Sequence, residues 1–457
     1  MSQLNKKIKT CWGLGEFGMS FMTTIETTFF MFFLTSVAKL PLGTAAIISS
    51  ITGVCDIIMA VASGAIVDKF NLKWGKNRSW FLITPPFILI FFTIMFTKIG
   101  GDVLAAVIIT LGYLICHIFF NIAWASARSI VGVLSTDPND RAFLSARVSI
   151  GGALGRLASS KLVPLMVAAF VTVFADQPIL CYTVTAFIGA LIMGIGLYIT
   201  FIITKGYDAS DVAVKDKKEP VSTVSVKDIL VNSLKNKYLI ILMFFELTRM
   251  TSFFFITSMA VYYCQISLNN AAAVGTFMLV YNLGTLVGTA LFSKRMVAKI
   301  GSKATTIIAT IGSAALTAFA YFFANDLMIV TVLMCISQIF GGMVSGIIVS
   351  MFVNCGTYGE YKTGKNTRGF IMGLYSGTIK TGLVVRSWIL TGSLALINYQ
   401  ADAVTSATAS GINFLFFIVS ALILAIGLIP IFFFNLKDSD VIEMEREIQE
   451  RRTAVKA

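Results

Sequence analysis

Runs of about twenty apolar residues recur along the whole chain, separated by polar or charged stretches. Examples are AFIGALIMGIGLYITFIIT, at 186–204, and FLFFIVSALILAIGLIPIFFF, at 414–434. A helix needs about 20 such residues to cross the roughly 30 Å of hydrocarbon in a bilayer. The pattern therefore predicts about twelve transmembrane helices. Their predicted positions are 10–38, 43–68, 79–99, 103–132, 144–173, 178–204, 238–266, 270–293, 304–324, 327–353, 367–396 and 411–436.

The polar stretches divide these helices into two sets of six. Six spans, a charged linker and six further spans are the layout of a major-facilitator transporter, which places its substrate near the bilayer midplane. We therefore predict an all-α polytopic membrane protein with the major-facilitator fold. Its predicted parts are a six-helix bundle at 1–204, a cytoplasmic central loop at 205–237, a second six-helix bundle at 238–436 and a cytoplasmic tail at 437–457.

The composition supports a membrane protein, since 56% of the residues are hydrophobic, 13% are charged and the mean hydropathy is +0.83. A soluble domain carries about 25% charged residues. The formal net charge of +13 comes from basic clusters in alternate loops, at 6–9, 69–78, 205–237, 294–303 and 362–368. This is the positive-inside pattern, which predicts that both termini are cytoplasmic. The basic charge indicates orientation in a lipid bilayer and not a nucleic-acid partner.

Motifs for other chemistries are missing from the sequence. The seven cysteines show no CxxC spacing, so neither a disulfide framework nor a zinc site is predicted. We find no metal-ligand cluster, nucleophile elbow or phosphate-binding loop, so we expect no enzyme activity and no cofactor. The first apolar run is too long for a cleavable signal peptide and lacks a small-residue cleavage site.

Two motifs connect the chain with a known family. One is Asp56, Gly64 and Asp68 followed by KWGKNRSW (73–80), and the other is YGEYKTG (358–364). Together they resemble the glycoside–pentoside–hexuronide:cation symporters, the major-facilitator family of melibiose permease and the glucuronide carriers. The resemblance covers the whole chain in span order. It implies a monomeric secondary transporter in the cell (inner) membrane that moves a small glycoside-type solute by alternating access.

The resemblance implies where a coupling ion would bind. The two second-span aspartates that help melibiose permease bind its cation match Asp56 and Ala60, and a third, in span four, matches Asn121. The family's span-eleven lysine matches Lys380. Sodium prefers several oxygen ligands, and only one of the three carboxylates is present. We therefore expect proton coupling or uncoupled passage in preference to strict sodium symport, although H⁺ and Na⁺ both remain possible.

Asp56 lies twelve residues before the end of its predicted helix, which is roughly 18 Å along the helix axis and close to the midplane. A lipid-facing aspartate there would cost about 3 kcal/mol, so its side chain should point into the bundle. The functional interpretation is a proton or cation site. The alternative is a structural ion pair with Lys380 or an arginine.

The predicted substrate site draws on three spans. Glu16, Ser20 and Thr23 form a polar stripe on span one that suits sugar hydroxyls, although threonines also bond back to their own helix. By resemblance, Ser20 replaces the family's sugar-binding aspartate and Arg147 matches the arginine that pairs with it. Trp124 could stack on a sugar ring, and helix packing is the alternative.

Basic groups outnumber carboxylates within the predicted spans once Glu246 and Arg249, which are three residues apart, are treated as a local pair. Arginine binds carboxylates in a two-pronged geometry, so an anionic sugar such as a hexuronide is the expected substrate. The competing interpretation is that Arg156 and Arg386 extend to the membrane interface.

Two further polar residues lie in apolar surroundings. His117, the only histidine, precedes Asn121 by one turn, and we expect an interior hydrogen bond for it, with a proton relay as the alternative. Glu26 lies on a different face of span one from the polar stripe and is predicted to pack or to pair.

Charged residues in the basic loops are candidates for gating. We predict that Asp68, Lys76 and Arg78 form one cytoplasmic charge network and that Glu360 and Lys362 belong to a matching network in the second half. Such networks favour one of the states of alternating access. Binding to anionic lipid headgroups is the alternative.

Two other functions remain open at this stage. The same fold could move an amphipathic metabolite, drug or lipid, because fold does not fix function. A non-transporting membrane sensor is the alternative from another class.

Overall fold

The computed structural model describes residues 4–70, 72–135, 138–174, 177–208, 235–364 and 368–454. All regular secondary structure in these ranges is helical, which confirms the predicted all-α class. We number the α-helices in chain order. They are α1 (Lys6–Cys11), α2 (Gly13–Phe32), α3 (Leu42–Lys69), α4 (Trp80–Met95), α5 (Asp102–Leu134), α6 (Pro138–Val173), α7 (Pro178–Ile203), α8 (Lys237–Tyr262), α9 (Ala273–Val287), α10 (Ser293–Phe319), α11 (Leu327–Ser345), α12 (Ile348–Thr363), α13 (Arg368–Leu396), α14 (Ser406–Phe414), α15 (Ser420–Ile431) and α16 (Asp438–Ala454).

Nine segments within the described ranges are long and apolar enough to cross a membrane. One of them, Ala273–Phe323, is broken at Gly301, where φ is 80°, and so contains two predicted spans. Two further predicted spans are α4, which has only 16 residues, and α13, whose Lys380 and Arg386 lower its hydropathy. Together these helices account for the twelve predicted spans.

The predicted loop after span eight is helical instead. Residues 294–300, predicted as part of a basic loop, lie in the first two turns of α10. Lysine and arginine are good helix formers, so a helix can continue beyond its apolar part until a glycine ends it. Here Gly301 provides that break, because its positive φ is unfavourable for other residues.

The chain packs into two compact units that combine segments from both halves of the sequence. Unit 1 comprises Met1–Lys215, Thr257–Leu279 and Ser387–Ile412, and unit 2 comprises Asp216–Ile256, Val280–Arg386 and Asn413–Ala457. The domain boundaries at 204, 237 and 436 remain sequence-based predictions. Residues 209–234 of the predicted central loop lie outside the described residues.

In unit 1, glycines bring α2 into close contact with α6. A Cβ atom added at Gly151 would lie 2.1 Å from the carbonyl oxygen of Gly13, and one at Gly155 would lie 2.3 Å from that of Phe17. Small residues allow the two backbones to approach closely. Lipid provides no hydrophobic force between helices, so the close packing of the helices drives their association. The contact fixes the polar face of α2 against α6.

An internal repeat is visible where α2 and α8 end. Each helix is followed by a π-helical turn, Phe33–Val37 or Tyr263–Ser267, and then by a residue with positive φ, Lys39 (53°) or Asn269 (48°). The closing backbone hydrogen bonds also correspond. They are Ala38 N to Phe33 O (2.7 Å) and Leu40 N to Leu34 O (2.9 Å) in the first copy, and Leu268 N to Tyr263 O (3.0 Å) and Asn270 N to Cys264 O (2.8 Å) in the second.

Residues in and near the first of these turns contact other segments of unit 1. The Ser36 hydroxyl lies 2.9 Å from the Tyr399 hydroxyl, and Thr35 is hydrogen-bonded to Tyr262. Trp388 donates from Nε1 to the Ser50 hydroxyl at 2.6 Å. These polar contacts join residues of the first two predicted spans to segments from the second half of the sequence.

Unit 2 has its own apolar core, in which Leu242, Phe245 and Phe352 are almost completely buried. Two helix ends in this unit are capped locally. Asp326 accepts hydrogen bonds from the backbone N–H groups of Met328 (2.9 Å) and Ile329 (3.0 Å) at the start of α11. Gly364, the last residue of the YGEYKTG motif, adopts φ 69° at the end of α12, as helix C-caps commonly do.

We expect the substitution Gly151→Ala to lower the thermal stability of the protein, because the new methyl group would collide with the Gly13 backbone. The matched control is Gly64→Ala in α3, where nothing lies within 4 Å of the added Cβ atom. That change should be neutral or slightly stabilising, because alanine favours a helix over glycine by about 1 kcal/mol. Unfolding of both purified variants in detergent measures the difference. Equal melting temperatures would contradict the close contact.

Candidate functional site

A hydrogen-bonded polar cluster lies inside unit 1, between α2, α3 and α5. Asp56 accepts a hydrogen bond from the Asn121 amide nitrogen at 2.6 Å, and His117 Nδ1 lies 2.9 Å from the same Asp56 oxygen, Oδ1. The other ring nitrogen, Nε2, lies 3.1 Å from Glu26 Oε2. Tyr113 donates its hydroxyl to Glu26 Oε1 at 2.8 Å. All five side chains are buried.

The helical period explains why α5 supplies three members of this cluster. Tyr113, His117 and Asn121 are four residues apart and therefore share one face of the helix. The rings of Tyr113 and His117 stack with their centroids 4.0 Å apart and an interplanar angle of 6°. Asn121 also donates to the carbonyl oxygen of His117 at 2.8 Å. These contacts fix the orientation of the imidazole.

The cluster joins two residues that the sequence suggested for coupling, Asp56 and Asn121. It also shows that His117 makes interior hydrogen bonds and that Glu26 is paired, as expected from the sequence. Tyr113 was not identified from the sequence. Its position one turn before His117 is the signal that could have revealed it.

The Asn121 side chain presents its amide nitrogen to Asp56. Its amide nitrogen faces two acceptors, the Asp56 carboxylate and the His117 carbonyl, so this end of the amide is the donor. The amide therefore directs N–H groups, and not its oxygen, towards Asp56. A sodium ion needs oxygen ligands there. We find no group of three or more His, Cys, Asp or Glu residues suited to a metal in the described part of the chain.

A second polar group of unit 1 lies along α2, α5 and α6. Glu16 Oε1 accepts a hydrogen bond from Arg128 at 3.1 Å, and the Arg128 guanidinium lies 4.7 Å from the centre of the Trp124 ring. Arg156 of α6 interacts electrostatically with Glu16. A Cβ atom added at Gly152 would lie 3.2 Å from the Ser20 hydroxyl and 3.5 Å from the Arg156 guanidinium.

The structure thus brings together three predicted substrate residues, Glu16, Ser20 and Trp124, with two arginines. Arg128 was not identified from the sequence, and for Arg156 the sequence left extension to the membrane interface open, because a single sequence does not show which arginine faces a carboxylate on another helix. Arg147 lies elsewhere on α6. It is exposed, its guanidinium is 5.2 Å from the Phe143 ring, and its backbone lies beside Gly13.

The remaining predicted residues have individual environments. Thr23 donates to the Met19 carbonyl of its own helix at 3.0 Å, which is the alternative anticipated from the sequence. Lys380 belongs to α13 in unit 2. Glu246 and Arg249 form the expected local pair, with Nε 2.7 Å from Oε2, and Arg249 also donates to Ser345 at 3.0 Å.

The basic loop between α3 and α4 binds the end of α7. Asp208 Oδ2 accepts hydrogen bonds from the backbone N–H groups of Asn77 (2.6 Å) and Arg78 (2.7 Å). Arg78 donates from Nε to the Phe201 carbonyl at 2.7 Å. Gly75 has φ 112°, and a Cβ atom there would lie 1.9 Å from the Asp208 carbonyl oxygen. The glycine of the WGK motif therefore serves this close approach.

The charges of this loop have distinct surroundings. Burial lowers the pKa of Arg78 and the Asp208 carboxylate opposes that shift, so the guanidinium remains protonated at physiological pH. Lys76 is half-buried. The side chain of Asp68, although in α3, lies outside the described part of the chain. Asp208 was not anticipated, because it lies far away in the sequence.

In unit 2 the YGEYKTG segment packs against the C-terminal helix. Glu360 is buried, whereas Lys362 is exposed, with its amine 6.0 Å from the Tyr361 ring. Arg451 of α16 donates to the Tyr361 carbonyl at 3.2 Å, and Thr357 donates to Glu445 at 3.2 Å. Residues 438–454 of the predicted tail therefore form α16, which contacts α12.

Long apolar helices with paired charges in their interior indicate a polytopic membrane protein. A family model described as "MFS/sugar transport protein" matches residues 11–438, so the chain belongs to this family of the major facilitator superfamily. This confirms the predicted fold and the predicted class of function, and the small-molecule substrate of a transporter follows from it.

Three known proteins illustrate the similarity. The glucuronide carrier protein homolog of Escherichia coli is 25% identical, with 98% of this chain and 97% of the carrier aligned. The isoprimeverose transporter of Lactiplantibacillus pentosus is 24% identical over 87% of this chain and 82% of its own length. The crystal structure of the nucleoside transporter NupG matches with a TM-score of 0.66 at 16% identity, covering 93% of this chain and 99% of NupG. The last likeness concerns the fold alone.

We expect Asp208→Ala to destabilise the protein by about 1–3 kcal/mol, because two buried backbone donors would lose their acceptor. The matched control is Asp208→Asn, which keeps an acceptor oxygen and should retain more of the stability. Chemical unfolding of both variants tests this. A loss that is equally small in both would show that the loop does not depend on Asp208.

Proposed function

We propose that this protein transports an acidic glycoside-type solute, such as a hexuronide, across the cell membrane by alternating access. Transport is coupled to protons in this proposal, and both termini are cytoplasmic. The observation that carries the substrate class is the group formed by Glu16, Arg128 and Arg156, in which two guanidinium groups are associated with one carboxylate.

The charge of this group supports an anionic substrate. One carboxylate cannot neutralise two arginines, so the group has a net positive charge that a sugar carboxylate would neutralise. Trp124 lies beside Arg128 and is 39% exposed, so its ring offers apolar surface to the C–H face of a sugar. Ser20, where the family's sugar-binding aspartate would stand, adds a hydroxyl and no repelling charge.

The relatives support a sugar and leave its charge to experiment. The name of the glucuronide carrier homolog refers to an acidic sugar derivative, whereas that of the isoprimeverose transporter refers to a neutral one. The arginine-rich group is the reason for choosing the acidic class. An amphipathic cargo is the alternative that remains if no sugar binds.

Proton coupling is supported by the ligands around Asp56. Its oxygen Oδ1 is engaged by two nitrogen atoms, one from Asn121 and one from His117, and Ala60 stands at the second aspartate position. Nitrogen donors in this arrangement compete with a sodium ion for the carboxylate. They are compatible with a proton, which needs only one donor and one acceptor.

We expect an acidic sugar to raise the melting temperature of the purified protein, with or without sodium. A ligand present at 100 times its Kd stabilises the native state by about 2.7 kcal/mol. The panel holds uronides, neutral glycosides and pentosides, each with and without sodium. Arg156→Ala should abolish the shift, whereas Arg446→Ala, which removes an exposed arginine of α16, should not. Stabilisation by neutral sugars that grows with sodium would contradict both parts of the proposal.

Substitution of Lys76 or Glu360 by glutamine should change the transport rate with little effect on substrate affinity, if these charged loops influence the equilibrium between transport states. Uptake rates in proteoliposomes and binding by thermal stabilisation measure the two quantities separately. A changed affinity at an unchanged rate would assign these residues to the substrate site instead.

A further inference from the structure

We propose that Glu26, His117 and Asp56 form a proton-binding site in which one dissociable proton is held on the imidazole between the two carboxylates. Binding of this proton is inferred from the geometry alone. Its use in coupling rests on the proposed function, proton-linked transport.

The first observation is that both ring nitrogens of the only histidine face carboxylate oxygens. Nδ1 is 2.9 Å from Asp56 Oδ1, and Nε2 is 3.1 Å from Glu26 Oε2. A carboxylate oxygen approaches a ring nitrogen at this distance only if a proton lies between them. Two such contacts therefore require two protons.

The second observation is the proton count. A neutral imidazole carries one proton, so it can satisfy only one of these two contacts. The second proton makes the ring an imidazolium that donates to both carboxylates, and such charge-assisted bonds are the stronger kind. The cluster of Glu26, His117 and Asp56 then has a net charge of −1 in place of −2, which lowers the cost of burying it.

The surroundings favour one position for this proton. Two further titratable groups of α5, Tyr113 and Cys116, interact with the carboxylates of the cluster, and both are neutral at physiological pH. Tyr113 donates to Glu26, and Asn121 donates to Asp56. Because these donors already stabilise both carboxylates as acceptors, the proton belongs on the ring.

The position of the cluster explains how proton release could alter the helix packing. Glu26 comes from α2, Asp56 from α3 and His117 from α5, so the proton links three helices. Loss of the proton breaks one of the two contacts of His117 and leaves two carboxylates on either side of a neutral ring in a buried site. The three helices are then held together less strongly. This difference between the protonated and the deprotonated cluster can favour one conformation of the transport cycle over another.

The single histidine makes the proton directly observable. Histidine labelled with ¹⁵N reports only on position 117, provided that the protein is purified with a tag that contains no histidine. In lipid nanodiscs at pH 8, where a free imidazole with a pKa of about 6.5 is neutral, we expect the two protonated ring nitrogens of an imidazolium. Glu26→Gln should convert this spectrum to that of a neutral ring with one protonated nitrogen.

The control is Asp102→Asn, a carboxylate-to-amide change at the start of α5 that leaves the cluster intact. It should leave the imidazolium spectrum unchanged. A neutral ring in the wild-type protein at pH 8 would overturn the proposal, and so would an imidazolium that persists in both Glu26→Gln and Asp56→Asn.

Transport separates this site from the proposed function. A gradient of one pH unit supports about tenfold accumulation for each coupled proton. The assay uses proteoliposomes and the sugar that raised the melting temperature in the panel above. The wild-type protein should accumulate this sugar, whereas Glu26→Gln and His117→Gln should only bring it to equal concentrations on both sides. Both variants should still exchange labelled for unlabelled sugar, because exchange requires no release of the proton.

The outcomes distinguish the two proposals. If the wild-type protein shows the imidazolium but moves no sugar, the proton site stands and the proposed function fails. If Glu26→Gln accumulates sugar as the wild-type protein does, the function stands and the coupling role of this site is wrong. Loss of both exchange and accumulation in these variants would show that the residues act in sugar binding or folding, which contradicts the coupling role of this site.

Discussion

The structure depends on one physical constraint: an ionised side chain within a membrane span must find its partner inside the protein. Hydrocarbon does not solvate charge, so unpaired ions there are costly. The described spans meet this constraint with specific pairs. Glu246 binds Arg249 one turn away, Glu16 binds Arg128 on another helix, and Glu26 and Asp56 share His117. The positions of these pairs restrict how the helices can pack.

The pairs differ in how their charges balance, and this suggests different roles. Glu246 and Arg249 neutralise each other in a two-pronged contact on a single helix, which is what a structural pair requires. The group around Glu16 associates two guanidinium groups with one carboxylate, and the cluster around His117 joins one imidazole to two carboxylates. Both groups lie in unit 1, and they are the groups proposed above to bind an organic anion and a proton, respectively.

Close contacts between backbones make these arrangements possible. The glycines of α2 and α6 bring the two helices together, which places Glu16 and Ser20 beside Gly152 and Arg156. Gly75 has a similar role in the basic loop, where it lets the chain approach Asp208. In both places the absence of a side chain positions polar groups of other residues. The family motif KWGKNRSW is therefore partly explained by packing, because its glycine and the backbone N–H groups of Asn77 and Arg78 contact Asp208, in the segment that follows α7.

The sequence alone determined the features that depend on composition and on local periodicity. Apolar run length predicted the spans, including the twelve-helix layout, because hydrocarbon thickness sets the length of a helix directly. Helical spacing identified the polar stripe of α2 and the local pair of Glu246 with Arg249. Family motifs singled out Asp56 and Asn121, which the structure joins by a hydrogen bond.

Only the tertiary structure decided which residues from different helices meet. Three such contacts join residues that are far apart in the sequence: Glu26 with His117, Arg128 with Glu16, and Asp208 with the basic loop. No local pattern encodes these contacts, because they result from how α2, α3, α5, α6 and α7 pack together.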